Sequence, residues 1–226
     1  MNKIKYITAV LIALAGLGLQ QAKAVPSVPF SVLSVGNSAI SGFPGPYADV
    51  FISLSGQTAT ITFTSLSNGT NTFLMGDGST VALDVNATSF TVGTVTGTQP
   101  AGFTAPTYST NIGSQNVDGF GLFNFTIDSS DGYPSSSTSV TFTLTNTGST
   151  TWLSASDVLA FNKKGFDAAA HIFVTTIPAL ASNTALATGF AGEPGNVFHT
   201  PDGGTTAMLL GAGLSALGLV RRFVKR

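Results

Sequence analysis

Thr58-Ala59-Thr60-Ile61-Thr62-Phe63-Thr64 is the stretch that decides the fold. Threonine takes every even position and an apolar residue every odd one. That period of two belongs to a strand with one buried face. Threonine suits the wet face, because its β-branch favours extended backbone while its hydroxyl stays in water. Val140–Thr145 repeats the pattern, with Val140, Phe142 and Leu144 alternating with Thr141, Thr143 and Thr145. Ala48–Leu54 places Ala48, Val50, Ile52 and Leu54 on one side, and Gly121–Ile127 places Phe123, Phe125 and Ile127 together. Further strands are expected at Phe30–Val35, Thr80–Val85, Ser89–Val95, Val158–Phe161 and Ala169–Thr175. Turn signals separate them: Gly42-Phe43-Pro44-Gly45-Pro46, Ser67-Asn68-Gly69, Gly76-Asp77-Gly78, Asp118-Gly119, Asp131-Gly132 and Asn146-Thr147-Gly148. Nine or ten one-face-buried strands make an all-β fold, an antiparallel two-sheet β-sandwich spanning residues 25–180, with the phenylalanines sealing the inner faces. Gln99–Gln115 shows the least patterning and reads as a long loop. Thr176–Pro201 is rich in Ala, Gly and Pro, and residues 181–199 read as a linker.

Composition narrows the chemistry. Only 8% of the 226 residues are charged and there is no cysteine. The first excludes nucleic acid as a partner, since that needs a dense Lys/Arg footprint. The second excludes a disulfide scaffold, a thiolate zinc site and a thiol nucleophile. The basic residues also sit at the ends. Lys3, Lys5 and Lys23 open the chain, and Arg221, Arg222, Lys225 and Arg226 close it. Between Val25 and His199, nine acids face only Lys163 and Lys164, so a mildly acidic body lies between two basic ends. Basic ends of this kind are the mark of targeting segments.

The N-terminal segment, residues 1–24, has the three parts of a signal peptide. Lys3 and Lys5 precede the uncharged apolar run Ile7–Leu19, and Ala22-Lys23-Ala24 supplies the small residues of a cleavage site. Signal peptidase is expected to cut after Ala24. The C-terminal segment, residues 200–226, runs Thr200-Pro201-Asp202-Gly203-Gly204-Thr205-Thr206, then the charge-free stretch Ala207–Val220, then the basic stop cluster Arg221, Arg222, Lys225 and Arg226. As a helix, that stretch would reach about 21 Å against a hydrocarbon core of about 30 Å, a gap that flanking residues and local thinning close. The expectation is a signal-peptide helix and a C-terminal transmembrane helix flanking the sandwich, with the basic cluster held on the cytoplasmic side of the inner membrane.

The proline-containing motif, the apolar helix and the terminal arginine cluster together resemble the PEP-CTERM class of sorting signals, closest to its VPDSG-CTERM variant. Thr200 stands for the usual Val and Gly203 for the usual Ser, while Pro201, Asp202 and Gly204 keep the sorting motif. The resemblance implies processing by an exosortase near that motif, a Gram-negative source, and an exported protein at the cell surface or in an exopolysaccharide matrix. Asn116–Asn124, Phe142–Asn146, Thr151-Trp152 and Ala168–Ile172 also look similar to the bodies of other PEP-CTERM proteins, a likeness that implies no chemistry.

Candidate sites in the body are few. No Gly-x-Ser-x-Gly elbow is present, His171 sits in an alternating apolar strand, and His199 lies beside the sorting motif. A structural or interaction role without catalysis follows as the expectation. The alternative is a module binding polysaccharide or calcium. Tyr133 and Trp152 are the candidate ring platforms for a sugar, with Tyr47 and Tyr108 behind them. Asp118, Asp128 and Asp131 are candidate calcium ligands in acidic loops, although their spacing is not that of an EF-hand. No other cofactor is expected.

Overall fold

The structure is a computed structural model and describes residues 30–193. The predicted signal peptide with Ala22 and Ala24 lies outside the described residues. So do Pro201, Asp202, Gly203 and Gly204, the stretch expected to form a C-terminal helix, and the cluster Arg221, Arg222, Lys225 and Arg226.

The described chain forms thirteen strands. They are β1 (Ser31–Leu33), β2 (Val35–Gly36), β3 (Ala48–Ser55), β4 (Thr58–Ser65), β5 (Asn71–Met75), β6 (Val81–Leu83) and β7 (Phe90–Val92). After these come β8 (Thr96–Thr98), β9 (Tyr108–Val117), β10 (Gly121–Ser129), β11 (Ser139–Asn146), β12 (Ala168–Thr176) and β13 (Ala187–Gly192). Two single 3-10 turns are the only helical pieces among the described residues, and no helix there is long and apolar enough to cross a membrane.

The strands make two antiparallel sheets. The front sheet runs β1-β3-β4-β11-β7, with β8 beside β7 on the same edge of β11. The back sheet runs β2-β13-β12-β6-β10-β9, with β5 next to β6 along β12. The inner faces share one core. Val50, Ile61, Phe63, Phe142 and Leu144 of the front sheet pack against Phe73, Leu83, Phe125, Ile127 and Ile172 of the back. Complete burial of such side chains stabilises the fold by about 1.5–3 kcal/mol each. The alternating threonines of β4 and β11 therefore point outward, as the sequence pattern requires.

The back sheet is covered on its outer face as well. Val117, Phe120, Phe123 and Ala169 form one cluster there, with Phe166 and Phe190 against it. Leu74, Tyr133 and Phe173 form a second. Phe120, Phe166 and Tyr133 come to these clusters from turns and loops, so among the described residues the broad wet sheet surface is the outer face of the front sheet.

Five sequence expectations need correction. Phe30–Val35 is not one strand: β1 joins the front sheet and β2 the back, with Ser34 between them. Phe123 does not share a face with Phe125 and Ile127. The β9–β10 register shifts between Phe123 and Phe125, and Phe123 enters the outer cluster. At the shift, the Asn124 side chain takes over strand pairing. Its Oδ1 accepts from Val85 N–H (2.7 Å) and its Nδ2 donates to the Val85 carbonyl (2.8 Å). Within Gln99–Gln115 the expected loop contains most of β9. Val158–Phe161 makes a single bridge, Val85 with Leu159, after a 3-10 turn closed by a Ser154–Asp157 capping box. The domain also runs past residue 180. β13 pairs with β12 over six residues inside the predicted 181–199 linker.

Candidate binding surface

The outer face of the front sheet is built by register. β3, β4 and β11 pair without interruption, so their outward residues line up across the strands. One row reads Ser55, Thr58, Thr145, Thr91. The next reads Ser53, Thr60, Thr143, with Gly93 hydrogen-bonded to the Thr143 carbonyl. A third reads Phe51, Thr62, Thr141, Thr96, and a fourth Asp49, Thr64, Ser139, Thr98. Neighbouring columns lie about 4.8 Å apart and successive rows about 7 Å apart, the spacings of sheet geometry.

The result is a grid of hydroxyls. Thr58 and Thr145 share a hydrogen bond of 3.0 Å between their Oγ1 atoms, and so do Thr62 and Thr141. Each hydroxyl has one donor and two acceptor sites, so a pair that shares one bond still has a donor and acceptors to offer outward. Asp49 is the only charged residue on the grid, and burial raises its carboxyl above the usual carboxylate range. A nearly neutral, repetitive, open array of hydroxyls matches an extended polyhydroxylated polymer. It does not match a small molecule, which needs an enclosing pocket. A depression of about 420 Å³ lies elsewhere, among Thr175, Thr176, Ser182, Asn183, Thr184 and Leu186.

The structure places the predicted ligand residues away from this face. Trp152 is fully buried in the core. Its Nε1 donates to the Asn86 carbonyl at 2.8 Å, and the Gln57 side chain bonds both its N–H and its carbonyl at 3.0 Å. Tyr133 is buried against Phe103 and Phe173, its hydroxyl bonded to Thr175 Oγ1 at 2.7 Å. Neither ring presents a platform to a sugar. Tyr47 is also buried, its hydroxyl donating to the Phe43 carbonyl at 2.7 Å, and Tyr108 is half-buried with its hydroxyl bonded to Ser137.

The calcium candidates do not converge as a set. Asp118 lies on the β9–β10 turn, and its Oδ2 accepts from Asn37 Nδ2 at 3.0 Å. Asp128 and Asp131 lie at the other end of β10, roughly 30 Å away by strand length. Asp128 accepts from Ser79 N–H at 2.7 Å and from Asn111 Nδ2, and Asp131 accepts from Thr107 N–H at 2.6 Å. Asp118 and Asp131 tie loops together, and Asp128 on β10 holds the Ser79 turn and Asn111 of β9. Among the described residues no group of three or more His, Asp or Glu is placed to hold a metal ion.

Two further sites carry titratable groups. His171 stacks on Phe190, with ring centroids 4.6 Å apart. Its Nδ1 lies 2.8 Å from the Gly76 carbonyl and its Nε2 2.8 Å from Thr188 Oγ1. The ring donates from Nδ1 to the carbonyl and shares a hydrogen bond with the Thr188 hydroxyl at Nε2, and burial holds its pKa below the usual histidine value. The second site was not found by sequence reasoning. Asp167 and Glu193 are both buried and hydrogen-bond through their side chains where β12 begins and β13 ends. Burial, then the bond to Glu193 and the Glu193 charge, push the Asp167 carboxyl up to about 9. Its one trace in the sequence is an acid flanked only by apolar residues, Phe166-Asp167-Ala168, a setting that Asp49 and Asp84 share and Glu193 does not.

No family model, curated protein or solved structure matches this chain.

Proposed function

We propose that this chain is an exported surface or extracellular-matrix protein of a Gram-negative bacterium, sorted by an exosortase, with a structural and interaction role and no catalysis. Signal peptidase removes the first segment. The C-terminal helix holds the precursor in the inner membrane until the exosortase acts at Pro201-Asp202-Gly203-Gly204. The sandwich then lies in a hydrated exopolysaccharide, with the hydroxyl grid as its contact surface. The observation that supports this reading is the grid itself: four registered rows made mostly of Ser and Thr, with Phe51 and a single acid, Asp49, on the β3 side. Such a surface exchanges hydrogen bonds with sugar hydroxyls and offers no cation to a polyanion.

Co-sedimentation of the full chain with insoluble neutral and acidic polysaccharides tests the contact surface. Thr62→Val with Thr141→Val keeps the β-branches and removes one hydroxyl pair. Two lost hydrogen bonds at about 0.5–1.5 kcal/mol each predict roughly tenfold weaker binding to neutral polymer, with folding intact. Equal binding by variant and parent would contradict the assignment of this face.

A further inference from the structure

Sheet edges expose unpaired N–H and C=O groups that template pairing with another chain, and proteins blunt them with short strands, charge or proline. Three edges of this sandwich follow that rule. β1 has three residues, β7 and β8 three each, and β2 two. The fourth does not. β9 has ten residues, and among the described residues it pairs with β10 alone. It contains no charged residue and no proline.

Within β9 the usable stretch is bounded. Pro106 lacks an N–H on one side. On the other, Gly113 (φ 130°) and Ser114 together oppose Asn124, which breaks the ladder. Between these limits Tyr108–Ile112 pairs regularly with Phe125–Ser129. Tyr108, Thr110 and Ile112 share the side of Ser129, Ile127 and Phe125, which is the core side of the back sheet. Yet Ile112 is 61% exposed, so the strand overhangs the front sheet and leaves an apolar side chain bare.

We infer that a second copy of this chain docks here, the two Tyr108–Ile112 stretches pairing antiparallel about a two-fold axis at Thr110. In that register Ile112 of each copy meets Tyr108 of the other, an aromatic–β-branched pair that stabilises strand pairing. Asn111 meets Ser109 on the opposite face. The absence of charge matters, because a two-fold axis sets like residues near like. The joined back sheets form one continuous sheet with the two hydroxyl grids on its same side. A dimer of this kind meets an extended polymer with two contact surfaces.

The cysteine-free chain allows a direct test. Thr110→Cys places two thiols across the axis at the Cα separation of an antiparallel pair, which a disulfide spans. Under mild oxidation the full-length Thr110→Cys protein should become mostly covalent dimer. Leu153→Cys, on an 85% exposed residue, should stay monomeric. Adding Ile112→Lys to Thr110→Cys should cut the dimer yield at least fivefold. Light scattering of the parent and Ile112→Lys chains in one detergent gives a cysteine-free measure, dimer against monomer. Thr110→Cys no more cross-linked than Leu153→Cys, including the case where another segment of the chain covers β9, overturns the inference, as does an unchanged mass on Ile112→Lys.

Discussion

Asp167→Asn is expected to flatten the pH dependence of stability and to make the protein more stable at neutral and alkaline pH. In the folded chain the Asp167 carboxyl stays protonated up to about pH 9, because it is buried and lies against Glu193. In the unfolded chain an aspartate loses its proton near pH 4. Between those values the folded state holds one more proton than the unfolded state, so stability falls as pH rises, by up to about 1.4 kcal/mol per unit. Below pH 4 both states are protonated and the side chain contributes no slope. Above pH 9 the full cost is present. Asparagine has nothing to lose on deprotonation, and its amide can donate to Glu193 as the protonated acid does. Urea denaturation at pH 4 should find parent and variant close together. At pH 8 it should find the variant several kcal/mol more stable. Parallel stability profiles would mean that the pair is not buried as described. The site is tightly packed: Phe120 and Phe166 meet edge to face at 4.9 Å, and a Cβ on Gly192 would overlap the Phe120 ring.

Trp152→Ala is expected to be among the most destabilising single changes in the domain. It empties the largest fully buried side chain of the core, at a cost of about 3–5 kcal/mol. For a domain of this size that lowers Tm by roughly 6–20 °C. Trp152→Phe keeps a six-membered ring in the core. The Asn86 carbonyl loses the Nε1 donor, at about 1–3 kcal/mol, and the missing part of the indole leaves a smaller cavity than alanine does. Because this is the only tryptophan, its fluorescence reports the core alone. Emission should be blue-shifted and unmoved by added polysaccharide. Quenching by polysaccharide would return Trp152 to the list of contact residues.

The sequence reveals some strands and hides others for physical reasons. β4 and β11 are legible because each has one face in the core and one in water, so burial writes alternation into them. The hydroxyl grid follows from those same threonines, although only the register shows that their rows continue into β3, β7 and β8. β9 is illegible because it overhangs the core. With Ile112 61% exposed, burial among the described residues required no apolar alternation of it. β13 is hidden by its small residues. Gly189 and Gly192 leave room for Asn37 and Phe120, and a strand of Ala, Thr and Gly with Phe190 as its one large side chain reads like a tether. Phe123 misleads because the face switch at Asn124 depends on a side chain bonding to a distant backbone. The Asp167–Glu193 pair joins residues far apart in the chain, and no spacing rule brings them together.

The proposed role requires that both ends of the chain be removed. The most direct test is the intact mass of the protein recovered from the surface or matrix of its native cell. The predicted species begins at Val25 and ends close to Asp202, without Arg221, Arg222, Lys225 and Arg226. A recovered protein that still carries that basic cluster would contradict it.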